Sequence, residues 1–417
     1  MRNSTNYNPH PPFIFTLKNG IRIIHKECYG EVSCCGLAVN AGTRFENEDE
    51  KGLAHFTEHM LFKGTENRNS RNILNRMERV GGDLDAYTTK EETVVYSTFL
   101  REDYDRAIEL VSDLIFHSVF PDDEIDKERD VILDEINSYE DSPSELIFDD
   151  FDQLIFPGHP IGRKILGDPD CLNTFRSDAF HKFHSRNYTT DRIVFFSQSA
   201  IPAGKVVKLA EKYFGDIPVS NRQPESNIVR PVAMTGLIKE VGKDTHQAHV
   251  IYGNKSYSLF EDDRVGMYLL NNILGGPGMN SRLNLALREK TGLVYSVESS
   301  VTSFTDTGLF TIYFGTDPSQ ADRCLSIVKK ELRKLCEKPL TSLQLMAARK
   351  QLYGQVLISA ENKESQTLSM GKSLMYYGKY DSMEELIRKI ESITPQRLME
   401  IAREAFNPDT MSLLIYR

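Results

Sequence analysis

AYTTKEETVVYSTFLREDYDRAIELVSDLI, running from Ala86 to Ile115, has a counterpart later in the chain, SFTDTGLFTIYFGTDPSQADRCLSIVKKEL, from Ser303 to Leu332. Each reads as a strand, a short turn and an amphipathic helix. The two halves also end alike: YTTDRIVFFSQ from Tyr188 and FNPDTMSLLIY from Phe406 both read as a helix exit into a final strand. Similarity at an offset of a little over two hundred residues, kept at both places, is the mark of a duplicated unit. Elsewhere, FIFTL, then Lys18-Asn19-Gly20, then IRIIHKE is a hairpin signal, and strands rich in Val, Ile and Phe alternate with helical stretches. The sequence therefore predicts an α+β fold of two homologous domains, each a mostly antiparallel sheet packed with helices. Ile217 to Met234, with Pro218, Pro224 and Pro231 among polar residues, reads as an extended linker. The expected domains are 1–222 and 223–417.

The first copy carries His55-Phe56-Thr57-Glu58-His59. Residues four apart on a helix share a face, so the two imidazoles project together and Glu58 joins them. Two neutral imidazoles hold Zn²⁺ at about 2.0–2.1 Å. A carboxylate beside them that is not a ligand can take a proton from water as it attacks a carbonyl. Around the motif, Lys51 to Lys63 mixes Leu53, Ala54, Phe56, Met60, Leu61 and Phe62 with polar positions, which reads as a mostly buried helix stopped by Gly64. The order His-x-x-Glu-His inverts the common zinc-protease signature His-Glu-x-x-His. In the second copy MYLLNNI, from Met267, takes the place of AHFTEHM, so Tyr268, Asn271 and Asn272 replace His55, Glu58 and His59. That copy is expected to bind no zinc.

A catalytic zinc takes three protein ligands and keeps a fourth position open. Pro121 to Tyr139, with Ile125, Val131, Ile132 and Ile136 at near-helical spacing, reads as a further helix. Its Glu128 and Glu135 are seven apart, two turns, and point the same way. On the residues alone, both also fit the solvated face of an amphipathic helix.

HFTEHMLFKGT followed by the glutamates of ERDVILDE resembles the pitrilysin and insulysin zinc metallopeptidases, the M16 family, over nearly the whole chain. The smaller two-domain type is the nearest in form, similar to the β subunit of mitochondrial processing peptidase and to bacterial members. The resemblance implies one Zn²⁺ per chain, held by His55, His59 and Glu135, with Glu58 as the base and Glu128 as support for the site. GGDLDAYTTKEETVVY, from Gly81 to Tyr96, resembles the family's edge strand, along which a peptide lies as an added strand. This implies substrate contact at Asp85 and Ala86. The family often has Asn where this chain has Asp85, a change that leaves backbone pairing intact. LREKTGLVYSV brings Arg288 and Tyr295 at a spacing from which larger members reach the scissile carbonyl, sensible chemistry for a guanidinium and a phenol. Read without the resemblance, they are a surface helix residue and a strand residue.

The function implied is a zinc-dependent endopeptidase acting on extended peptides or unfolded segments within a chamber. Because zinc motif and Arg288–Tyr295 pair share one chain, the simplest assembly is a homodimer in which each C-terminal domain completes the other subunit's site. The alternatives are a catalytic subunit that needs a related non-catalytic chain, as a heterodimer, and an idle scaffold subunit.

Two glycine-bearing segments carry weaker signals. LGGPGMN, Leu274 to Asn280, lacks the Gly-Lys-Ser/Thr ending of a phosphate loop and reads as a flexible loop; the resemblance adds a role in peptide entry. GHPIGRKILGDPD, Gly158 to Asp170, reads as a turn leading into a helix.

Composition sets limits. A net charge of −10 argues against a nucleic-acid partner, which calls for a basic face. No apolar run approaches the ~18 residues that cross a membrane, and MRNSTNYNPHPPF has no signal-peptide core. The six cysteines show no framework spacing and are expected to be reduced in a cytoplasmic protein.

Overall fold

The computed structural model describes residues 11–222, 230–243 and 245–417. Most of the N-terminal stretch, and the residues 223–229 on which the expected domain boundary falls, lie outside the described residues. The chain forms two compact units, each from three stretches. The first takes the described residues of Met1–Ile136, Lys164–Asn227 and Ile358–Ser382; the second takes those of Asn137–Arg163, Ile228–Leu357 and Met383–Arg417.

The first unit is built on β1 (Phe13–Thr16), β2 (Arg22–Glu27), β3 (Val32–Val39), β4 (Asp83–Thr88), β5 (Thr93–Leu100) and β6 (Ile193–Ser199). They lie in the order β1-β2-β6-β3-β5-β4. The expected hairpin forms, with Phe13 opposite His25. Only β2 and β6 run parallel; the other pairs are antiparallel. Helices α1 (Leu53–Leu61), α2 (Ser70–Glu78) and α3 (Tyr104–Phe116) belong to this unit. On one face of the sheet, Leu37, Val39, Val95 and Phe195 pack with Phe56, Met60, Ile73, Ile108 and Val111. Each such side chain, fully buried, contributes roughly 1.5–3 kcal/mol.

The second sheet comprises β7 (Ile238–Val241), β8 (Ala248–Ser256), β9 (Val294–Ser303), β10 (Gly308–Thr316) and β11 (Ser412–Tyr416), in the order β7-β11-β8-β10-β9. Setting β1 aside, this repeats the first sheet strand for strand, including the parallel pair next to one end. The helix Arg264–Gly275 follows β8 as α1 follows β3, and carries Tyr268, Asn271 and Asn272. The duplication and the mostly antiparallel sheets agree with the sequence reading.

What local patterning does not announce is an exchange of helices. The first sheet's other face, with Ile24, Val94, Val194 and Phe196, is covered by Met370 and Leu374 of the helix Lys363–Tyr377, from late in the chain. A Cβ on Gly371 would come within 2.5 Å of the Phe196 ring, so only glycine allows this approach. Reciprocally, helix α5 (Pro143–Ile155), which follows α4 (Asp122–Glu140), lays Ile147, Phe151 and Ile155 on Ile251, Leu309 and Leu414 of the second sheet. Tyr416 donates its hydroxyl to Asp150 of α5 at 2.6 Å. Helices α5 and Lys363–Tyr377 hold matching places in the two halves, so each half covers the other's sheet.

The weaker segments resolve simply. Leu274 and Gly275 finish a helix, and Asn280 in the loop beyond is pinned by paired amide bonds with Gln351 at 3.1 and 3.2 Å. Gly158 to Asp170 forms turns that lead into a short helix, Pro169–Leu172. All six cysteines are free.

Candidate metal centre

Helix α1 runs from Leu53 to Leu61 behind Gly52, which caps it in the left-handed region at φ 93°. The Glu46 carboxylate accepts from the Ala54 N–H at 2.8 Å, placing an anion at the positive end of the helix. Gly52 packs against Gly167: a Cβ on Gly167 would lie 2.3 Å from the Gly52 Cα, and φ at Gly167 is +89°. Phe56, on the inner face, meets Phe180 edge-on at 4.9 Å. The motif helix is therefore fixed at its start, along its apolar face and by a charge.

Helix α4 supplies the second wall. Arg129 anchors it, donating to the Leu172 and Phe175 carbonyls at 3.0 Å each and to Asp126 at 2.6 Å. Glu128 and Glu135 then face α1. His59 donates Nδ1–H to Glu128 Oε1 at 2.8 Å, and its Nε2 stands 3.9 Å from Glu135 Oε2. Lys63 closes on the other oxygen of Glu128. The His55 and His59 rings lie edge-on with centroids 4.6 Å apart.

His55, His59 and Glu135 offer ligand atoms that all lie within 4.8 Å of one another. Two imidazole nitrogens and a carboxylate oxygen form a donor set suited to zinc. Burial, helped by the neighbouring His59, pushes the His55 imidazole down to about 3, so it is neutral as a ligand must be. His59 moves the other way: burial opposes its cation, but the Glu128 hydrogen bond and the Glu58, Glu128 and Glu135 charges hold it above the usual value. For Glu128, burial opposes ionisation, yet the bonds from His59 and Lys63 keep it below the usual carboxylate range. Burial raises Glu58, against the pull of a hydrogen bond from Thr88 and the charge of His59. His55 Nδ1 and Glu58 Oε2 are buried without a hydrogen-bond partner. Unsatisfied polar atoms beside a converging ligand set fit a metal ion and its water better than a closed structural cluster.

Among the described residues strand β4 pairs with β5 alone and ends the sheet, leaving its other edge open. Ala86 lies opposite Val95 and packs with the core on the α1 side. Asp85 points to the opposite face, where its carboxylate accepts from the Tyr96 hydroxyl at 3.1 Å and from the Ala86 N–H at 2.8 Å. Arg288 and Tyr295 belong to the second unit. Arg288 lies on a π-helical segment, Asn284–Glu289, and Tyr295 on the edge strand β9; both are exposed, Tyr295 at 86%. The structure thus gathers His55, Glu58, His59, Glu128 and Glu135 in the first unit. Glu46, Lys63 and Thr88 escape sequence reasoning. Only Lys63 leaves a signal, standing four residues after His59, although the helix ends at Leu61 and Lys63 lies in the turn beyond it.

Residues 22–169 match the family model described as insulinase, peptidase family M16, and residues 174–352 match the model described as the peptidase M16 inactive domain. An uncharacterized zinc protease of Bacillus subtilis, YmxG, is 32% identical over 96% of this chain and 97% of its own length. One from Streptomyces coelicolor is 33% identical over 93% of this chain and 86% of its own. Among solved structures, a protease from Helicobacter pylori superposes with a TM-score of 0.90 at 21% identity, over 98% of this chain and 99% of that one. A peptidase M16 inactive domain from Pseudomonas fluorescens gives 0.89 at 19%, over 97% and 98%. These two likenesses concern the fold.

Proposed function

The chain belongs to peptidase family M16, and from that premise we propose that it is a zinc metalloendopeptidase cleaving extended peptides or unfolded protein segments. The observation that carries this reading is the meeting of His55, His59 and Glu135 within 4.8 Å beside the buried, unpartnered Oε2 of Glu58. These three residues would hold one zinc ion per chain. Zinc, when bound, supplies Lewis acidity toward a peptide carbonyl and lowers the pKa of water.

The chain's own groups do the rest. Glu58 collects a proton as water attacks and passes it to the leaving amine, a task served by a carboxyl group raised by burial. Glu128 fixes the tautomer and ring plane of His59. The substrate adds as a strand along the open edge of β4, using main-chain groups near Ala86. Asp85 contributes through its backbone, because its carboxylate is engaged by Tyr96. Arg288 and Tyr295, exposed in the second unit, are free to stabilise a developing oxyanion. We read the working assembly as a homodimer that encloses substrate, each chain lending these two residues to its partner. The alternative is a heterodimer with a related non-catalytic chain. Six free cysteines fit a reducing, cytoplasmic setting, and no helix among the described residues is long and apolar enough to cross a membrane.

The test is zinc analysis of the wild type and Glu58→Gln together with hydrolysis of a quenched fluorescent peptide library. Zinc in both and cleavage by the wild type alone is expected, with Glu58→Gln slower by at least ~10²-fold. Zinc in both and cleavage in neither would favour a missing partner or a scaffold role.

A further inference from the structure

We propose that Lys63 is a positioning residue of the metal centre, setting its zinc affinity through Glu128. The inference rests on the zinc reading above and goes beyond it, because the ligand set alone gives Lys63 no role. Lys63 stands in the turn two residues past the end of α1, where its side chain and that of His59 grip the same carboxylate: His59 at Glu128 Oε1, Lys63 at Oε2. Glu128 is 9% exposed at its side chain and Lys63 26%, so the ion pair is shielded from solvent. A buried carboxylate that kept only the His59 bond would have one oxygen unsatisfied and a free torsion about its last bond. With both oxygens taken, its plane is fixed. The His59 ring is then oriented with Nδ1–H toward Glu128 and the Nε2 lone pair toward His55 and Glu135.

The backbone makes such a clamp effective. A lysine loses rotamer freedom when held in one geometry, so its anchor must be rigid. Lys63 N–H donates to the Met60 carbonyl at 3.1 Å, and the next residues are laced to the segment that leads into α4: Val119 N–H to Gly64 at 3.2 Å and Glu66 N–H to His117 at 2.8 Å. Asp113 of α3, almost fully buried, accepts from Thr65 at 2.7 Å, Asn67 at 2.6 Å and Arg68 at 2.6 Å. The turn after α1 is therefore fixed to both α3 and the entry to α4. Lys63 spans the remaining gap and holds the distance between the two helices that carry the ligands.

Zinc dissociation constants, measured by competition with a chromophoric chelator on the full chain, test this. Lys63→Met should bind zinc ~10–100-fold more weakly than wild type, the usual cost of losing an outer partner of a ligand. Lys63→Arg, which keeps the charge, should recover most of the loss and melt near the wild-type temperature without metal. In a Glu128→Ala background the Lys63→Met change should have little further effect. Wild-type affinity in Lys63→Met, or losses from the two positions that simply add, would overturn the inference. A wild type that binds no stoichiometric zinc would instead remove the zinc reading itself, and this inference with it.

Discussion

His59 donates its Nδ1–H to Glu128 at 2.8 Å, while its Nε2 stands 3.9 Å from Glu135, so two carboxylates one above the other on α4 divide the two nitrogens of a single ring. The seven-residue spacing of Glu128 and Glu135 is two helical turns, and the ring between them is turned by one and aimed at the other. His55 differs: its Nδ1 is buried with no partner. One imidazole is oriented by a carboxylate. The other is oriented by packing, and the packing of α1 depends on the contact at its first turn.

Gly167→Ala tests that dependence. The new Cβ would sit 2.3 Å from the Gly52 Cα, at a backbone φ of +89°, so neither the rotamer nor the neighbour can relieve the clash. A loss of roughly 2–4 kcal/mol is expected, with reduced zinc content because α1 must move at its start. Gly158→Ala is the control: φ is +71° but nothing lies within 4 Å of the added carbon, so only the left-handed strain of roughly 1–2 kcal/mol applies. Urea titrations of both variants decide it; equal losses would show that the Gly52–Gly167 contact yields easily.

Acid should weaken the first unit through His184. Its ring is half-buried against Phe120 and Tyr188, its Nε2–H donates to the Ile115 carbonyl at 2.7 Å, and desolvation pushes its pKa down to about 4. Unfolded, it titrates near 6.5. Between these values the unfolded chain binds the extra proton, so stability rises with pH across the window and is lost as pH falls from about 6.5 to about 4. The gap corresponds to roughly 3 kcal/mol. Urea midpoints of metal-free protein between pH 4.5 and 7.5 should show the slope. His184→Gln, which can still donate to Ile115, should lower the slope by the His184 share and leave that of the buried His55; an unchanged slope would assign the effect elsewhere.

Much of this architecture is legible in residue order, for identifiable reasons. His55, Glu58 and His59 could be grouped because helical periodicity alone puts them on one face. The duplicated strands were visible because sheet cores repeat a period-two pattern. Choosing Glu135 and Glu128 among the many acids of α4 needed the family resemblance, since a solvated helix face has the same composition. Lys63 was hidden for a related reason: one turn past a helical histidine, a lysine reads as ordinary surface until the tertiary fold brings Glu128 to it. The exchanged helices were hidden more deeply. Amphipathic spacing in α5 tells that it buries a face but not which sheet receives it, and Lys363–Tyr377 buries Gln366, Thr367 and Gly371 beside Met370 and Leu374, a face that apolar spacing does not mark.

That exchange predicts the behaviour of fragments. A chain cut to residues 1–222 keeps all six strands of the first sheet and the metal residues but loses the helix Lys363–Tyr377. Ile24, Val94, Val194 and Phe196 would then face water. At roughly 1.5–3 kcal/mol for each large apolar side chain, the four together amount to about 6–12 kcal/mol, comparable with the whole margin of a typical domain, about 5–15 kcal/mol. The fragment should aggregate or melt without cooperativity, and a peptide of residues 358–382 added in trans should restore a cooperative transition. A well-behaved 1–222 monomer would show that the exchanged helix is dispensable.

Complementation addresses the assembly. If each chain supplies Arg288 and Tyr295 to its partner's metal centre, a mixed dimer of Arg288→Ala and Glu58→Gln contains one site with an intact Glu58 facing an intact Arg288, and one site lacking both. Random exchange of equal amounts places half of the dimers in this mixed form, each with one competent site. A quarter of the wild-type activity per site is therefore expected, from two parents that are each inactive. The readout is peptide hydrolysis after exchange, with mixed dimers verified by two affinity tags. Completion within one chain predicts the opposite, because every chain then carries a defect and no pairing repairs it. Recovery near a quarter fixes completion in trans. Verified mixed dimers with no recovery would assign Arg288 to its own chain's site or to no site, and would turn attention to a separate non-catalytic partner.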